Sequence, residues 1–184
     1  SAGVIKDESG VLLSGFSGAG KSTLALHLMS KGLVFLSNDR AMVRWDQDRL
    51  KMYGVPKLPR VNPGTLLSID ELKSIIPVEM KERFLKISEE ELWDLEHKFD
   101  VFIDEVYGKK RFRLGSRMDG LVVLNWKRND DPFRIDHVDI RQRRDLLPAF
   151  MKSPGLFFLV KYEKDFDHSE EAYLKLLDEC PIYE

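Results

Sequence analysis

Residues 10–31 read GVLLSGFSGAGKSTLALHLMSK, and the interpretation of the whole chain begins from this stretch. Its first five residues are a short, mainly apolar run that ends at a glycine-rich turn. From Lys21 to Lys31, leucine, methionine and alanine recur at helical spacing. We therefore predict a strand over 10–14, then a loop, then a helix over 21–31.

The loop between this strand and helix matches G-x-x-x-x-G-K-[ST], the phosphate-binding P-loop motif, at all four specified positions. Its glycines let consecutive backbone N–H groups face inward, and the positive end of the helix dipole adds to the same anion site. A chance glycine-rich turn is the alternative interpretation, but the flanking strand and helix favour a nucleotide site. The residues predicted to contact the nucleotide are Gly15, Phe16, Ser17, Gly18, Ala19, Gly20, Lys21, Ser22 and Thr23.

Two side chains of the motif have defined chemistry in such a site. The ammonium of Lys21 can lie on the β- and γ-phosphates of a nucleotide, and the hydroxyl of Ser22 can bind Mg²⁺. ATP and Mg²⁺ are therefore the expected cofactors.

A second buried strand is predicted directly after the helix. Gly32 occupies the position expected just past a helix end, and the apolar run 33–36 is followed by Ser37-Asn38-Asp39. Strand, helix and strand form a βαβ unit, which implies a parallel sheet with a right-handed crossover. The predicted fold class is therefore α/β.

Phosphoryl transfer also needs a carboxylate that holds Mg²⁺ or orients the attacking hydroxyl. Asp39 follows the second strand, and ligands of open α/β sheets bind outside the carboxyl ends of strands. We predict Asp39 as catalytic together with Lys21, and as a metal ligand together with Ser22; an Asn-Asp turn is the alternative. Asp104 follows the apolar run 101–103 and is the second candidate metal ligand, with a solvated alternating strand as its alternative.

Basic residues can stabilise the charge that develops on a transferred phosphoryl group. Residues 40–60 contain six basic and two acidic residues, and residues 109–117 contain five basic residues and no acid. A solvated charged face is the alternative interpretation of both clusters. The proline-stiffened stretch 55–60 favours a loop that holds cations in place. The basic residues assigned to the substrate or to phosphate are Lys57, Arg60, Arg111, Arg113 and Arg117.

The rest of the chain shows shorter patterns. A hairpin is predicted with strands 41–45 and 50–53 and a polar four-residue link, followed by an irregular loop over 54–64. Further strands are predicted at 100–107, 121–126, 133–138 and 155–160. Further helices are predicted at 69–76, 88–98, 141–151 and 169–179, the second of which opens with a capping box at Ser88.

The composition of the 184 residues restricts the class of protein. Hydrophobic residues make up 43% and charged residues 33%, which excludes a disordered or low-complexity chain. A net charge of −2 gives no reason to expect nucleic acid or an anionic membrane as a partner, and no apolar run reaches the ~20 residues of a membrane span. The single cysteine, Cys180, fits a reducing cytosol. We expect a cytoplasmic single domain over 1–184, and the absence of a starting Met leaves open that it is a fragment of a longer chain.

The run from Gly10 to Leu26, with GLVFLSND at 32–39, resembles the HPr kinase/phosphorylase family, in particular the HPr-kinase-related proteins of the kinase B type. The segment VPKLPRVNPGT at 55–65 is also similar to one in those proteins. The resemblance covers the first third of the chain closely. It implies a phosphoenolpyruvate-carboxykinase-like P-loop core with a mixed sheet and flanking helices. It further implies ATP- and Mg²⁺-dependent phosphorylation of a protein serine.

The resemblance also implies two adjacent aspartates after the second strand, where this chain has Asn38-Asp39. Asparagine cannot accept a proton as a carboxylate does, so Asp39 carries this work alone or shares it with Asp104. The family assembles into rings, which makes a homo-oligomer a further expectation. The leading hypothesis is a kinase that acts on the serine of a protein substrate. The alternatives are a kinase of a small metabolite and a nucleotide-binding module without independent catalysis.

Overall fold

The computed structural model describes residues 1–95, 97–126, 129 and 131–151. The chain divides into two compact units, Ser1–Trp126 and Lys127–Glu184. The strand expected at 155–160 and the helix expected at 169–179 lie outside the described residues, and the organisation of 1–184 as a single domain stays a prediction.

The described residues form short strands and helices. In chain order the strands are β1 (Ala2–Lys6), β2 (Ser9–Ser14), β3 (Val34–Ser37), β4 (Ala41–Asp46), β5 (Arg49–Gly54), β6 (Arg60–Val61), β7 (Phe99–Asp100) and β8 (Gly115–Val123). The helices are α1 (Lys21–Ser30), α2 (Pro63–Ser68), α3 (Val78–Phe84), α4 (Glu89–Asp94), α5 (Ile103–Val106) and α6 (Leu147–Phe150), with 3₁₀ turns at Asp70–Ile75 and Arg144–Leu146. No helix among the described residues combines the length and the hydropathy needed to cross a bilayer.

Six strands of the first unit form one mixed sheet in the order β3-β1-β2-β8-β5-β4. Strands β2 and β8 are parallel neighbours, and every other neighbouring pair is antiparallel. The predicted strand, helix and strand are present as β2, α1 and β3, and both strands run in the same direction. They are not neighbours, however, because β1 lies between them and pairs with each. The sheet is therefore mixed, in an α/β fold with flanking helices.

The two ends of the sheet approach each other. The backbone of Phe35 in β3 receives a hydrogen bond from Arg113 and donates one to Arg111, in the segment that leads into β8. A Cβ added at Gly54 in β5 would collide with the backbone of Leu36. The end of β3 therefore lies against β5. This closeness explains how the short connection from Ser37 to Ala41 can join β3 to β4, although these two strands are at opposite ends of the sheet order.

Helix α1 covers the face of the sheet formed by β1 and β2. Its Ala25 is fully buried and packs in one cluster with Val4 and Leu13. The opposite face buries the side chains of Leu12 and Met52 among others, inside the curve of the sheet. Full burial of each large apolar side chain contributes about 1.5–3 kcal/mol, so both faces hold β2 firmly at the centre of the sheet.

A third cluster joins the helical segments to the edge of the sheet. Phe35 and Leu26 are buried in it with residues from the chain after β5, including Leu66, Leu72 and Phe84. The helix predicted at 69–76 is instead the 3₁₀ turn of the same region. The helix predicted at 88–98 ends at Asp94, but its capping box is confirmed.

The strand predicted at 100–107 is wrong beyond its first residue. Within the predicted range only Asp100 lies in a strand, at the end of β7, and the short helix α5 begins three residues later at Ile103. Ile103, Val106 and Tyr107, spaced as i, i+3 and i+4, belong to or pack against the cluster around Phe35. Helical spacing brings all three to one side, whereas a strand would direct successive residues to opposite sides.

The other differences concern lengths and ends. The hairpin link is the two-residue turn Gln47-Asp48, with Gln47 at a φ of 59°, and not a four-residue link. Strand β8 begins at Gly115 and ends at Val123, earlier than the strand predicted at 121–126. The structure has no strand at 133–138, and the helix predicted at 141–151 is reduced to a 3₁₀ turn followed by α6.

Candidate functional site

The glycine-rich motif lies between the end of β2 and the start of α1. Gly18 and Gly20 adopt left-handed backbone angles, with φ values of 81° and 79°. Gly20 is the N-cap residue of α1, and no side chain caps the helix there. The N–H groups of the first helical turn have no partner within the helix, so they and the positive end of the dipole are directed toward the loop. This local structure is one that binds anions.

The start of the loop is packed against the end of β8. The backbone N–H of Leu124 donates to the carbonyl of Ser14 over 2.7 Å. A Cβ added at Gly15 would lie 2.6 Å from the carbonyl oxygen of Leu124 and 3.1 Å from the Cβ of Ala19. Only glycine fits at this position without movement of the neighbouring backbone.

Because β2 and β8 are parallel, the residues after β8 lie at the same edge of the sheet as the loop. Asn125 and the largely exposed Trp126 are therefore at this edge, although no sequence motif marks them as site residues. The strand pattern at 121–126 was visible in the sequence. Its pairing with β2, more than a hundred residues away, was not.

The side chain of Lys21 folds back over the loop. Its Nζ donates to the carbonyl oxygens of Gly15 at 2.9 Å and Phe16 at 2.7 Å. The ammonium therefore lies beside the N-terminus of α1, where the sequence pattern predicts a contact with phosphate.

Ser22 and Thr23 occupy the first turn of α1. Ser22 is half-buried, and its predicted role as a metal ligand is compatible with this position. The hydroxyl of Thr23 forms a hydrogen bond of 2.8 Å with that of Thr65, a buried residue of α2. Thr65 in turn donates its backbone N–H to Asn62, which caps α2. Thr23 thus joins α1 to α2.

Asp39 lies at the same edge of the sheet as the glycine-rich loop. Strand β1 separates β2 from β3, so the ends of these two strands are about 10 Å apart, or two strand spacings. Ser1 spans part of this gap, because its hydroxyl lies 2.6 Å from that of Ser14 and its nitrogen donates to the carbonyl of Asp39 at 2.8 Å. The structure therefore brings the two main predicted features to one edge.

Two cationic side chains lie beside the carboxylate of Asp39. Nζ of Lys57 lies 3.2 Å from its Oδ2, and Nε of Arg40 lies 4.0 Å from the same atom. Partial burial acts to raise the pKa of Asp39, but the hydrogen bond and charge of Lys57, with the charge of Arg40, bring it below the ordinary value. A carboxylate with a lowered pKa is a weaker base, so this environment suits a metal ligand better than a strong proton acceptor.

Asn38 precedes Asp39 and contributes a second oxygen at this position. Its side-chain Oδ1 is buried and has no hydrogen-bond partner in the described structure. Mg²⁺ binds hard oxygen ligands, and amide oxygens as well as carboxylates are found around such hard cations. The Asn38-Asp39 pair therefore has the donor atoms for a cation, although it has one carboxylate where the sequence resemblance implies two.

Asp104 occupies the first turn of α5 rather than the end of a strand. It lines a cavity of about 370 Å³, together with Lys57 and Phe112. Lys57 is thus shared between this cavity and Asp39. Among the described residues no cluster of three or more His, Cys, Asp or Glu side chains is arranged to hold a metal ion.

The remaining predicted basic residues are paired elsewhere. Nε of Arg60 lies 3.2 Å from Oδ1 of Asp100, its partner in the β6–β7 ladder. Arg111 donates to the carbonyls of Met29 at 2.6 Å and Leu33 at 3.0 Å, at the C-terminal end of α1. That end is about 15 Å from the N-terminus of the helix, where the glycine-rich loop lies.

Arg113 and Arg117 lie near the start of β2 and not near the glycine-rich loop at its end. Arg113 forms an ion pair of 3.0 Å with Glu8. Arg117 pairs with Asp119 at 2.5 Å and is aligned with Ser9 in the ladder between β2 and β8. The structure therefore does not bring Arg111, Arg113 or Arg117 to the predicted phosphate site.

Comparisons with known proteins give a distant structural likeness. No protein-family model matches the chain, and no curated protein matches it. Among solved structures, the chain is similar to the HPr(Ser) kinase/phosphatase from Coxiella burnetii, with a TM-score of 0.44 and 14% sequence identity. The match covers 74% of this chain and 63% of that chain, so this chain spans less than two thirds of that protein's length. No functional assignment follows from a likeness at this level.

Proposed function

We propose that this chain is an ATP- and Mg²⁺-dependent kinase that phosphorylates a serine of a protein. One observation carries the proposal: the loop from Gly15 to Lys21 joins β2 to an N-terminus of α1 that no side chain caps. The left-handed Gly18 and Gly20 shape this loop, and the Lys21 ammonium lies over it. Backbone N–H groups, a helix dipole and an ammonium together suit the phosphates of a nucleotide.

The metal would be held mainly by the nucleotide. Mg²⁺ keeps several waters and takes one or two protein ligands in addition to substrate phosphates. Ser22 in the first turn of α1 and Asp39 at the end of β3 would supply these ligands, with Oδ1 of Asn38 as a further oxygen. Bound Mg²⁺ neutralises negative charge on the phosphates during transfer.

The residues of the chain position the acceptor and accept its proton. The acceptor oxygen forms a bond to the γ-phosphorus while the bond from this phosphorus to the β–γ bridging oxygen breaks, and ADP leaves. The proton of the acceptor hydroxyl passes to the carboxylate of Asp39. A weak base is sufficient here, because phosphoryl transfer depends mostly on positioning and charge stabilisation.

A nucleotide-binding module without independent catalysis is the second candidate. Two features favour it: Asn38 occupies a position where the resemblance implies an acid, and Lys57 pairs with the carboxylate of Asp39. A kinase of a small metabolite uses the same phosphate site, because the P-loop contacts the nucleotide and not the acceptor. Assembly into a homo-oligomer is a separate proposal, tested by light scattering after size-exclusion chromatography.

The first experiment measures nucleotide binding by titration calorimetry with ATP, ADP and Mg²⁺. We expect Lys21→Ala to weaken ATP binding at least about tenfold, or 1.4 kcal/mol. Lys31→Ala, at the other end of α1, is the matched control and retains wild-type affinity. Wild-type protein that is folded and binds neither nucleotide would contradict the proposal.

The second experiment identifies the acceptor. The protein is incubated with [γ-³²P]ATP and either a protein extract or a metabolite extract, with Asp39→Asn as the comparison. Label transferred to protein supports the leading proposal, and label on a small molecule supports the metabolite kinase. Tight ATP binding without any product supports the non-catalytic module.

A further inference from the structure

A cleft beside Asp39 is the strongest unassigned feature of the first unit. It has a volume of about 370 Å³ and is lined by the loop 56–59, the start of α5 and the rings of Phe35 and Phe112. Lys57 lines the cleft and also donates its hydrogen bond to Asp39. The cleft therefore adjoins the carboxylate to which we assign the acceptor proton.

The walls of the cleft expose large apolar side chains. Leu58 is 38% exposed, Phe102 51% and Phe112 36%. Phe112 stacks on the buried Phe35 with ring centroids 6.1 Å apart, so this wall is anchored in the core. A small polar metabolite does not need such a surface, whereas an aliphatic or aromatic side chain of a polypeptide gains from burial against it.

The cleft is also acidic. Asp104 and Glu105 line it, and among the described residues neither carboxylate has a hydrogen bond or an ion pair. The lysine of the cleft, Lys57, is already paired with Asp39. The charge left for a ligand is therefore negative, and it complements a lysine or arginine side chain.

We propose that this cleft docks the acceptor polypeptide, with an apolar side chain against Leu58, Phe102 and Phe112 and a basic side chain against Asp104 and Glu105. The inference rests on the proposed kinase function and specifies its substrate class. The acceptor is a protein segment in which a basic residue and an aliphatic or aromatic residue accompany the phosphorylated serine.

A binding experiment tests the cleft separately from catalysis. The probe is a positional-scanning array of immobilised nonapeptides, each set with one residue type fixed at one position, incubated with the full chain in EDTA without nucleotide. Because EDTA removes divalent metal ions, a metal-binding role of Asp104 does not affect peptide binding under these conditions. We expect the wild-type protein to be retained most by peptides with fixed Lys or Arg and fixed Leu, Ile or Phe, and least by those with fixed Asp or Glu.

Variants assign the preferences to the cleft. The double variant Asp104→Asn/Glu105→Gln should lose the preference for basic residues by about fivefold, and Phe102→Ala should lose the preference for apolar residues. The matched control is Glu79→Gln/Glu82→Gln, which removes the same charge from the exposed face of α3. Retention of no peptide above background, or a pattern that the cleft variants leave unchanged, would overturn the proposal. Peptide selection that depends on the cleft without any ATP turnover would contradict the kinase function and not the docking site.

Discussion

Nζ of Lys57 lies 3.2 Å from Oδ2 of Asp39 and donates a hydrogen bond to it. This pair connects the proline-stiffened loop to the end of β3, at the edge of the sheet where the glycine-rich loop begins. Both side chains are about half exposed, so the pair contributes little to stability, on the order of 0.5 kcal/mol. Its main effect is on the ionisation of Asp39.

Lys57→Met should raise the pKa of Asp39. Burial, which opposes ionisation, would remain, while the hydrogen bond and charge of Lys57 would be lost. A lowered folded-state pKa stabilises the protein above the unfolded-state pKa, and this stability is lost as pH falls through the folded-state pKa. The free energy of unfolding of Lys57→Met should therefore fall less at acidic pH than that of the wild-type protein. The carboxyl ¹³C chemical shift of Asp39 reports the pKa directly.

Lys51→Met is the matched control for this titration, because Lys51 forms an equivalent ion pair with Asp46 in the β4–β5 hairpin. It should leave the titration of Asp39 unchanged. An Asp39 that titrates at the same pH in wild type and Lys57→Met would show that the observed pair has no electrostatic effect.

Gly20→Ala should destabilise the chain and weaken nucleotide binding. Gly20 has a φ of 79°, and a left-handed conformation costs a residue with a Cβ about 1–2 kcal/mol. Gly32→Ala is the control, since Gly32 has a φ of 98° just beyond the opposite end of α1. Both variants should lower the free energy of unfolding by similar amounts in urea, but only Gly20→Ala should reduce the affinity for ATP. Equal affinities in the two variants would argue against a phosphate site at this loop.

Arg111→Ala should lower the free energy of unfolding by about 1.5–3 kcal/mol, because two carbonyls at the end of α1 lose a charged donor. A guanidinium at this end also interacts favourably with the helix dipole. Arg113→Ala removes an exposed ion pair with Glu8 and a hydrogen bond of 3.3 Å to the hydroxyl of Ser116, and it should cost about 1 kcal/mol. Chemical denaturation measures both. If Arg111 instead stabilised phosphate, its variant would lose nucleotide affinity while keeping its stability.

Tyr107→Phe should have two effects on the free energy of unfolding. The loss of one hydrogen bond acts at every pH below the pKa of Tyr107, and a further change in the pH dependence appears only at high pH. Burial, assisted by the charge of Glu71, raises the pKa of Tyr107 to about 12, and its hydroxyl donates to the carbonyl of Leu26 at 3.2 Å. A raised folded-state pKa gives stability that is complete below the unfolded-state pKa of about 10 and is lost as pH rises toward 12.

The pH dependence of unfolding between these two values should therefore be shallower in Tyr107→Phe than in wild type. Tyr53→Phe is the comparison, because the Tyr53 hydroxyl interacts with Arg44 on the exposed hairpin. An identical alkaline profile for wild type and Tyr107→Phe would mean that Tyr107 is ionised as easily in the folded chain as in the unfolded one.

Local patterns were sufficient for several elements of this protein. The motif from Gly15 to Ser22 predicted a loop between β2 and α1, and Gly32 predicted the end of that helix. The capping box at Ser88 was also predicted correctly. Each of these features depends on backbone angles or hydrogen bonds between residues close in sequence.

The elements that were missed or predicted wrongly depend on contacts between distant residues. Strand β1 is a five-residue segment whose place between β2 and β3 is set by pairing on both sides. Residues 101–107 were predicted as extended from an apolar run, but packing against the core around Phe35 favours a helical turn. The arginines between 109 and 117 do not form one cationic cluster, because each has a different partner: Arg111 contacts the end of α1, Arg113 pairs with Glu8 and Arg117 pairs with Asp119.

The amino-acid sequence by itself determined the loop and the helix that would receive phosphate, since their glycines and their apolar spacing act over a few residues. Only the tertiary structure decided which charged side chains accompany them. Strand pairing brings Asp39 and the end of β8 to the edge of the sheet that bears the glycine-rich loop. The fold of the proline-rich loop joins Lys57 to Asp39, and packing around Phe35 places Asp104 in the lining of the cleft. The interaction between two charges depends on their distance in space and not on their separation along the chain, so the fold alone decides which charged side chains become partners.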